Sequence, residues 1–393
     1  MSARLGADFS KLWTASAVSN LGDGITMAAG PLLVASLTAD PALVAGAAFA
    51  QQLPWLLFAL VSGAYVDRLD RRRLIVAVNL LRGLVLGALA VSVATGSTGI
   101  PVIYLAFFLL GVGETLADTA SAALLPAIVP PERLASANAR LMATFTVVNQ
   151  LLAKPVGAGL FAASAALPFG VDAVSFAVAA ALVATVRPAP ARPYERGGGL
   201  RAEIAAGLRW LWRHRLMRTL ALAMGLANVV FCAAFAVFVL YARERLGLSE
   251  IGYGVLLTTF GVGGLVGTGL AARLGATALL RAGLVVEAVT HGVLAATTVP
   301  VVAAVVLVVF GIHTMVWGVI VTTLRQRIVP AGLLGRVASV SALFDYGGAA
   351  IGSLLGGLLA RTWTITAPYW LACAATAAIA AAAWRPLALA RPS

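Results

Sequence analysis

The sequence predicts an all-α membrane protein with twelve transmembrane helices in two six-helix halves. Three observations predict it. Of 393 residues, 61% are hydrophobic and 11% charged, against roughly 25% charged in soluble domains. Apolar runs near 20 residues recur along the whole chain, each long enough to cross a bilayer as a helix. The runs are continuous, whereas a closed β-barrel would alternate over segments of about ten residues.

The first six spans fall near 11–37, 42–64, 74–95, 100–122, 138–162 and 168–187. The second six fall near 216–241, 251–272, 278–299, 301–324, 335–360 and 366–386. The start of the chain, with Arg4 and Lys11 before an apolar run, looks like a secretory signal. The run is too long and has no small-residue cleavage site, so it reads as an uncleaved first span. Span 2 ends on GAYVDRLDRRR (63–73), four arginines and two aspartates between two oily segments. Residues 188–215 form the linker between a first half, 1–187, and a second, 216–393. It opens with RPAPARPYERGGG, too rich in Pro and Gly for a helix interior. LRAEIAAGLRWLWRHRL follows, with Leu200, Ile204, Leu208 and Leu211 at helical spacing. That suits an amphipathic helix on an anionic inner leaflet; a solvated connector is the alternative.

Orientation follows from Lys and Arg. With the N-terminus inside, the outer loops hold only Arg243, Arg245 and Arg361, Lys154 lies within a span, and the other 24 fall at the inner face or its flanks. Both termini are therefore expected in the cytoplasm, with the chain in a bacterial cytoplasmic membrane. The halves also echo each other. Ile128-Val129-Pro130 after span 4 answers Ile328-Val329-Pro330 after span 10. Arg68-Leu69 answers Arg273-Leu274, and GAGLFA in span 5 answers GGLLA in span 11. Paired halves around a midplane site are the usual build of secondary transporters.

A net charge of +13 invites a nucleic-acid partner, but the arginines cluster at span ends, so none is expected. Cys232 and Cys373 lie inside apolar runs with no metal-ligand spacing around them, so no metal or cofactor is expected. No P-loop and no nucleophile–base constellation appears, which argues against direct ATP use and against an enzyme.

Gly63, Asp67, Arg68, Arg71 and Arg72 resemble the signature between spans 2 and 3 of the major facilitator superfamily, G-x-x-x-D-R-x-G-R-R, with Asp70 in place of its second glycine. SNLGDG (19–24), LLPAIVPPERLASAN (124–138) and GVDAVSFAVAAAL (170–182) resemble the bacterial exporter branch that includes the enterobactin and macrolide exporters. The resemblance implies the major facilitator fold and a latch at the cytoplasmic side. There Asp67 meets the start of span 11 near Leu334, and Arg71 and Arg72 pair with carboxylates of their own half. Asp118 reads as a latch partner of Arg71 or Arg68. Plain positive-inside anchoring explains the arginines but not Asp67.

An ionisable group at mid-bilayer costs roughly 2.5–3.5 kcal/mol or more, so each needs a reason. At 1.5 Å per residue, Asp23 is about 18 Å from the inner face and Glu114 about 21 Å from the outer. Lys154 replaces the first glycine of the G-P-x-x-G-G pattern that antiporters of the superfamily often carry in span 5, while Pro155 and Gly157 keep part of it. Lys154 is expected to meet Glu114 or Asp23, either as a structural ion pair or as a proton-coupling site. Asp172 and Asp345 lie near span starts and read as dipole or gate residues. Glu287 and His291, four apart, share a helix face. Gly348, Gly352 and Gly356, and likewise Gly263 and Gly267, form stripes suited to tight crossings of the halves or to plain packing.

The cavity is expected between spans 1, 4, 7 and 10, with Asn20, Asn228, Phe231, Phe235, His313 and Trp317 among its lining. Aromatics with a few polar groups suit an amphipathic organic molecule. The sequence thus predicts a monomeric secondary exporter of small amphipathic molecules of multidrug type, driven by proton antiport. A dedicated exporter of a siderophore, another natural product or a lipid is the second reading. A membrane sensor or scaffold without a transport cycle is the third.

Overall fold

The structure is a computed structural model that describes residues 5–387 except 67–68, 188–199, 272–275 and 331–332. The side chains of 59–66, 200–204, 271, 276–278, 334–335 and 338–339 also lie outside the description. Helices account for nearly all described residues, and no strand occurs among them.

The first span is α1 (Ala7–Leu37), followed by α2 (Pro41–Val66), α3 (Arg71–Ala94) and α4 (Ile100–Leu124). Span 5 is composite: α5 (Leu134–Thr144), a π-helical segment (Phe145–Ala153) and α6 (Lys154–Ala163). Span 6 is α7 (Leu167–Ala184), and α8 (Leu200–Arg213) follows the linker. Span 7 joins α9 (Arg215–Ala236), the short α10 (Phe238–Leu240) and a π-helical turn (Tyr241–Arg245). The rest are α11 (Glu250–Ala271), α12 (Ala276–Ala296), α13 (Pro300–Ile328), α14 (Leu334–Thr362) and α15 (Ala367–Leu387). All twelve predicted spans are helical, with ends within about four residues of their predicted bounds. Ten of them meet the length and hydropathy of a bilayer span. The other two are α1, with Asn20 and Asp23 in its middle, and span 5, which is broken into segments of 11, 9 and 10 residues.

The π segment has a local cause. Pro155 has no N–H to give the carbonyl one turn back, and its ring crowds that carbonyl. The turns before it widen instead of continuing as α-helix. That sets Asn149 and Gln150 on a widened wall.

Packing divides the chain into two compact units. One comprises Met1–Thr38, Ala50–Glu195 and Ser249–Thr258; the other comprises Ala39–Phe49, Arg196–Leu248 and Thr259–Ser393. In unit 1, Leu12, Leu124, Leu125, Val129 and Ala179 share a buried cluster. In unit 2, Leu211, Leu220, Leu280, Val329 and Leu387 do so. Large apolar side chains also point outward, with Leu84 70% and Val301 71% exposed. In a chain this apolar, lipid rather than water covers them.

The internal repeat is a repeat of geometry. The Val129 N–H donates to the Leu125 carbonyl at 3.1 Å, and the Val329 N–H donates to that of Arg325 at 3.0 Å. Arg133 donates to Pro130 at 2.9 Å, and Leu333 to Pro330 at 2.8 Å. Gly157 presses on α1, where an added Cβ would lie 2.4 Å from the Ile25 carbonyl oxygen. Gly356 presses on α9 in the same way, 2.0 Å from that of Ala233. Spans 5 and 1 therefore meet as spans 11 and 7 do.

The glycine stripes serve that packing inside unit 2. Gly352 sits against Val229 of α9, and Gly263 and Gly267 sit against Val308 and Ile312 of α13. Of the two roles the sequence left open for them, plain packing is what these contacts show.

Arg72, one of the arginines after span 2, finds a use within unit 1. Arg72 donates to the carbonyls of Val186 (3.2 Å) and Ala184 (3.4 Å), and Lys11 to that of Thr185 at 2.9 Å. Two cations thus close the C-terminus of α7, where free carbonyls and the helix dipole favour them. Among the described residues, Arg72 bonds a helix end where a carboxylate was expected. Asp70 caps α3 by accepting from the Arg73 N–H at 2.9 Å. The Lys11 ammonium, 3.0 Å from Asp8, holds that carboxyl below its ordinary range. What this adds to stability is present at neutral pH and is lost as pH falls through the carboxylate range.

The helix predicted after the linker is present as α8. Leu211 of its apolar face is buried in the unit 2 core, and Gly207 abuts the Arg336 backbone of α14. Leu208 and Trp212 stay exposed.

Candidate functional site

Unit 1 encloses a cavity of about 630 Å³, lined by residues of α1, α3, α4, α7 and the π segment. Its centre is a side chain that the sequence reading passed over. Arg82 is the twelfth residue of α3 and is 7% exposed. Its Nη2 donates to Asp23 Oδ1 at 2.8 Å. The guanidinium lies over the Phe176 ring, 4.1 Å from its centroid, a favourable cation–π arrangement. Gly113 of α4 makes room for its stem, since a Cβ there would lie 2.7 Å from Arg82 Cγ. Glu114, Asp118 and Asp172 lie within electrostatic reach of the same guanidinium. Four carboxylates therefore surround one permanent cation.

The surroundings hold the group in place. The Trp55 indole donates to Glu114. Thr26 Oγ1 donates to Asp172 Oδ2 at 2.5 Å, and Ser175 Oγ to Asp172 Oδ1 at 2.9 Å. Asn149 donates to the Asn20 carbonyl at 3.1 Å, and the Asn20 amide donates to Ser16 O at 2.7 Å. Asp172, read from sequence as a dipole or gate residue, is a buried wall of the cavity.

Asp23, Glu114 and Asp118 are brought together, with Asn20 beside them in the lining. Lys154 is not. It is buried, and its one hydrogen bond among the described residues is to Gln150, so neither Glu114 nor Asp23 is its partner. Arg82 takes the position expected of it. Asp118 lies within electrostatic reach of Arg82, while Arg68, one of the partners expected for it, falls outside the described residues. Gly63 lies in α2, while Asp67 and Arg68 fall outside the described residues. Arg82 was legible as an arginine well inside span 3, yet its closeness to the Arg71–Arg73 run made it look like part of the flank.

Unit 2 encloses a second cavity, of about 380 Å³, lined by α9, α11, α12, α13 and α14. Asn228, Phe231, His313 and Trp317 line it as expected. Phe235 does not: it stacks on Phe231 and Phe238 at 5.6 and 5.9 Å and is exposed. The Asn228 amide is spent on the Asp345 carbonyl at 2.5 Å. Glu287 enters the cavity from α12, with its Oε2 3.5 Å from His313 Nε2. His291 Nδ1 lies 2.8 Å from the Glu287 carbonyl oxygen, so the two share a face through the backbone.

A bundle of apolar spans enclosing polar cavities with buried charge is the build of a small-molecule membrane transporter. The profile of the transmembrane secretion effectors, a major facilitator family, matches residues 5–390, and the chain belongs to that family. The multidrug efflux pump Tap of Mycolicibacterium fortuitum is 28% identical over 88% of this chain and 87% of its own length. The enterobactin exporter EntS of Salmonella typhimurium is 27% identical over 76% of this chain and 73% of its own. An uncharacterized MFS-type transporter of Mycobacterium tuberculosis is 34% identical, but the match spans 36% of this chain and 32% of that protein's length. Among solved structures, a bacterial homologue of the iron transporter ferroportin superposes with a TM-score of 0.78 at 18% identity, covering 98% of this chain and 99% of that one. The nucleoside transporter NupG does so with a TM-score of 0.72 at 11% identity, covering 97% and 99%. At such identities the structures speak for the fold alone.

Proposed function

We propose that this protein is a secondary exporter of small amphipathic molecules driven by proton antiport. It works as a monomer in the bacterial cytoplasmic membrane, with both termini inside. The observation that carries the proton is the cluster in unit 1. One guanidinium balances one carboxylate, and Asp23 is the one it bonds. Charge left unbalanced at membrane depth is costly, so protons or a cationic ligand make up the difference for Glu114, Asp118 and Asp172. A site of that kind takes up and releases protons as its surroundings change. Glu114 is the coupling residue in this reading, and Asp23 stays committed to Arg82. Lys154 acts from outside the cavity by fixing Gln150 beside Asn149. Asp67 and the arginines after it form the cytoplasmic latch.

Reconstitution into liposomes with an imposed pH gradient and a panel of dyes and antibiotics tests the reading. Glu114→Gln is expected to abolish gradient-driven efflux while substrate binding stays measurable. Asp23→Asn impairs efflux less, and Lys154→Ala shifts its pH profile. Wild-type pumping and pH profile in Glu114→Gln would remove Glu114 from the coupling role. The likeness to EntS supports a second reading, a dedicated exporter of one natural product. Competition across the panel separates the two, since a dedicated exporter responds to one compound class. Absence of any substrate-dependent flux would leave the sensor or scaffold reading.

A further inference from the structure

The two cavities carry side chains of opposite charge at one equivalent place. Arg82 is the twelfth residue of α3, and Glu287 is the twelfth residue of α12. The neighbouring helix places Gly113 beside Arg82 and His313 beside Glu287, each the fourteenth residue of α4 or α13. The repeat that aligns the two units therefore aligns a guanidinium in one with a carboxylate in the other.

Their circumstances differ. Arg82 has the Asp23 carboxylate 2.8 Å away. The Glu287 side chain is 10% exposed, and its ionic partner is an imidazole that is charged only when protonated. Among the described residues, no lysine or arginine lines this cavity, and Asp345 lines it as a second carboxylate. The walls are aromatic. Phe231 and Phe310 lie 5.5 Å apart by ring centroids, Phe260 and Phe310 5.8 Å, and His313 and Trp317 6.0 Å. The volume of about 380 Å³ falls in the range of small-molecule sites, roughly 300–1,000 Å³. Aromatic faces attract a cation through the ring quadrupole. A largely desolvated carboxylate attracts one more strongly than an exposed carboxylate would.

We propose that the unit 2 cavity is a binding site for an organic cation, an ammonium or other onium group on an aromatic or aliphatic body. Glu287 is its counter-ion, and Phe231, Phe260, Phe310 and Trp317 are its walls. His313 holds the Glu287 carboxylate while the site is empty and yields it to the ligand. The inference rests on the transporter reading only in taking the cavity as open to substrate.

The test is equilibrium binding to the purified full chain in nanodiscs, with no gradient imposed. The probes are a fluorophore bearing a trimethylammonium group and its tert-butyl isostere, which differ in charge alone. The wild type is expected to bind the cation at least tenfold more tightly. Glu287→Gln should remove about tenfold or more of cation affinity and leave the neutral probe within about twofold. Glu287→Asp, which keeps the charge, should retain the preference, and Phe310→Ala should weaken both probes. Equal affinity for the two probes in the wild type would overturn the proposal. So would a Glu287→Gln protein of wild-type melting temperature that keeps its cation preference, or a preference lost in Glu114→Gln but not in Glu287→Gln. Should Glu287→Gln not fold, loss of the preference in Glu287→Asp would count against the site. Failure of gradient-driven efflux with cation binding intact would sink the antiport reading and leave this one standing.

Discussion

Arg82 and Asp23 are 59 residues apart in sequence and 2.8 Å apart in space. Removing one partner of a buried pair leaves the other charged and unpaired, which costs about 3–5 kcal/mol in well-buried cases. Asp23 is partly open to the cavity, so the lower end applies here. Arg82→Gln should lower the melting temperature sharply, and Arg82→Gln with Asp23→Asn should recover most of the loss. Thermal melts of the single and double variants in one detergent check this. A double variant no better than Arg82→Gln alone would mean that the guanidinium acts through Phe176 and Gly113 rather than through Asp23. Depth along a helix was legible in the sequence, because rise per residue converts position into depth. That is why Asp23 and Glu114 were identified as central. Rotation about the helix axis was not legible. Spans that are apolar all round carry little amphipathic signal to say which face turns inward. Lys154 was therefore assigned a carboxylate neighbour, where the structure gives it Gln150.

At the scale of elements, small residues decide which helices touch. A Cβ at Gly352 would lie 2.1 Å from the Val229 carbonyl oxygen and 3.1 Å from Cys232 Cβ, both on α9. Backbone cannot yield there as a flexible side chain does. Gly352→Leu must push α14 off α9, and overpacking of this kind costs about 1–3 kcal/mol or more. Gly159, which has nothing within 4 Å of an added Cβ, is the control. Gly159→Leu should stay within about 0.5 kcal/mol of wild type. Yield of folded protein and melting temperature for the two variants check the contrast, and equal losses would show that the contact with α9 is not what the Gly352 variant loses. The stripes themselves were legible as a four-residue glycine period. Their partner was not, because a period marks a close approach without naming the helix that makes it. The π segment of span 5 was equally hidden: Pro155 announces a break but not a widened turn.

For the whole molecule, twelve spans and a 200-residue repeat were legible, because bilayer thickness fixes span length and duplication preserves turn chemistry. The opposed charges of Arg82 and Glu287 were not, since they appear only once α3 is set against α12. The orientation of the chain is a whole-molecule property that follows from the same charges. Arg82 leaves the inner tally now that it lies in a cavity, and Arg72 and Lys11 are partly spent on the end of α7. Even so, the loops expected outside keep only Arg243, Arg245 and Arg361. Arg245 there donates to the Thr297 carbonyl at 3.3 Å, so it has a local structural use as well. Moving the inner cluster across the membrane would oppose the positive-inside bias at nearly every loop. Reporter fusions after Gly96 and after Gly247, both in turns at positive φ, should therefore read external. A fusion after Gly198, in the linker outside the described residues, should read cytoplasmic. The reversed pattern would sink the orientation. A mixed pattern would mean that the two units insert with independent topologies, and Arg243→Ala with Arg245→Ala would then be expected to restore a single one.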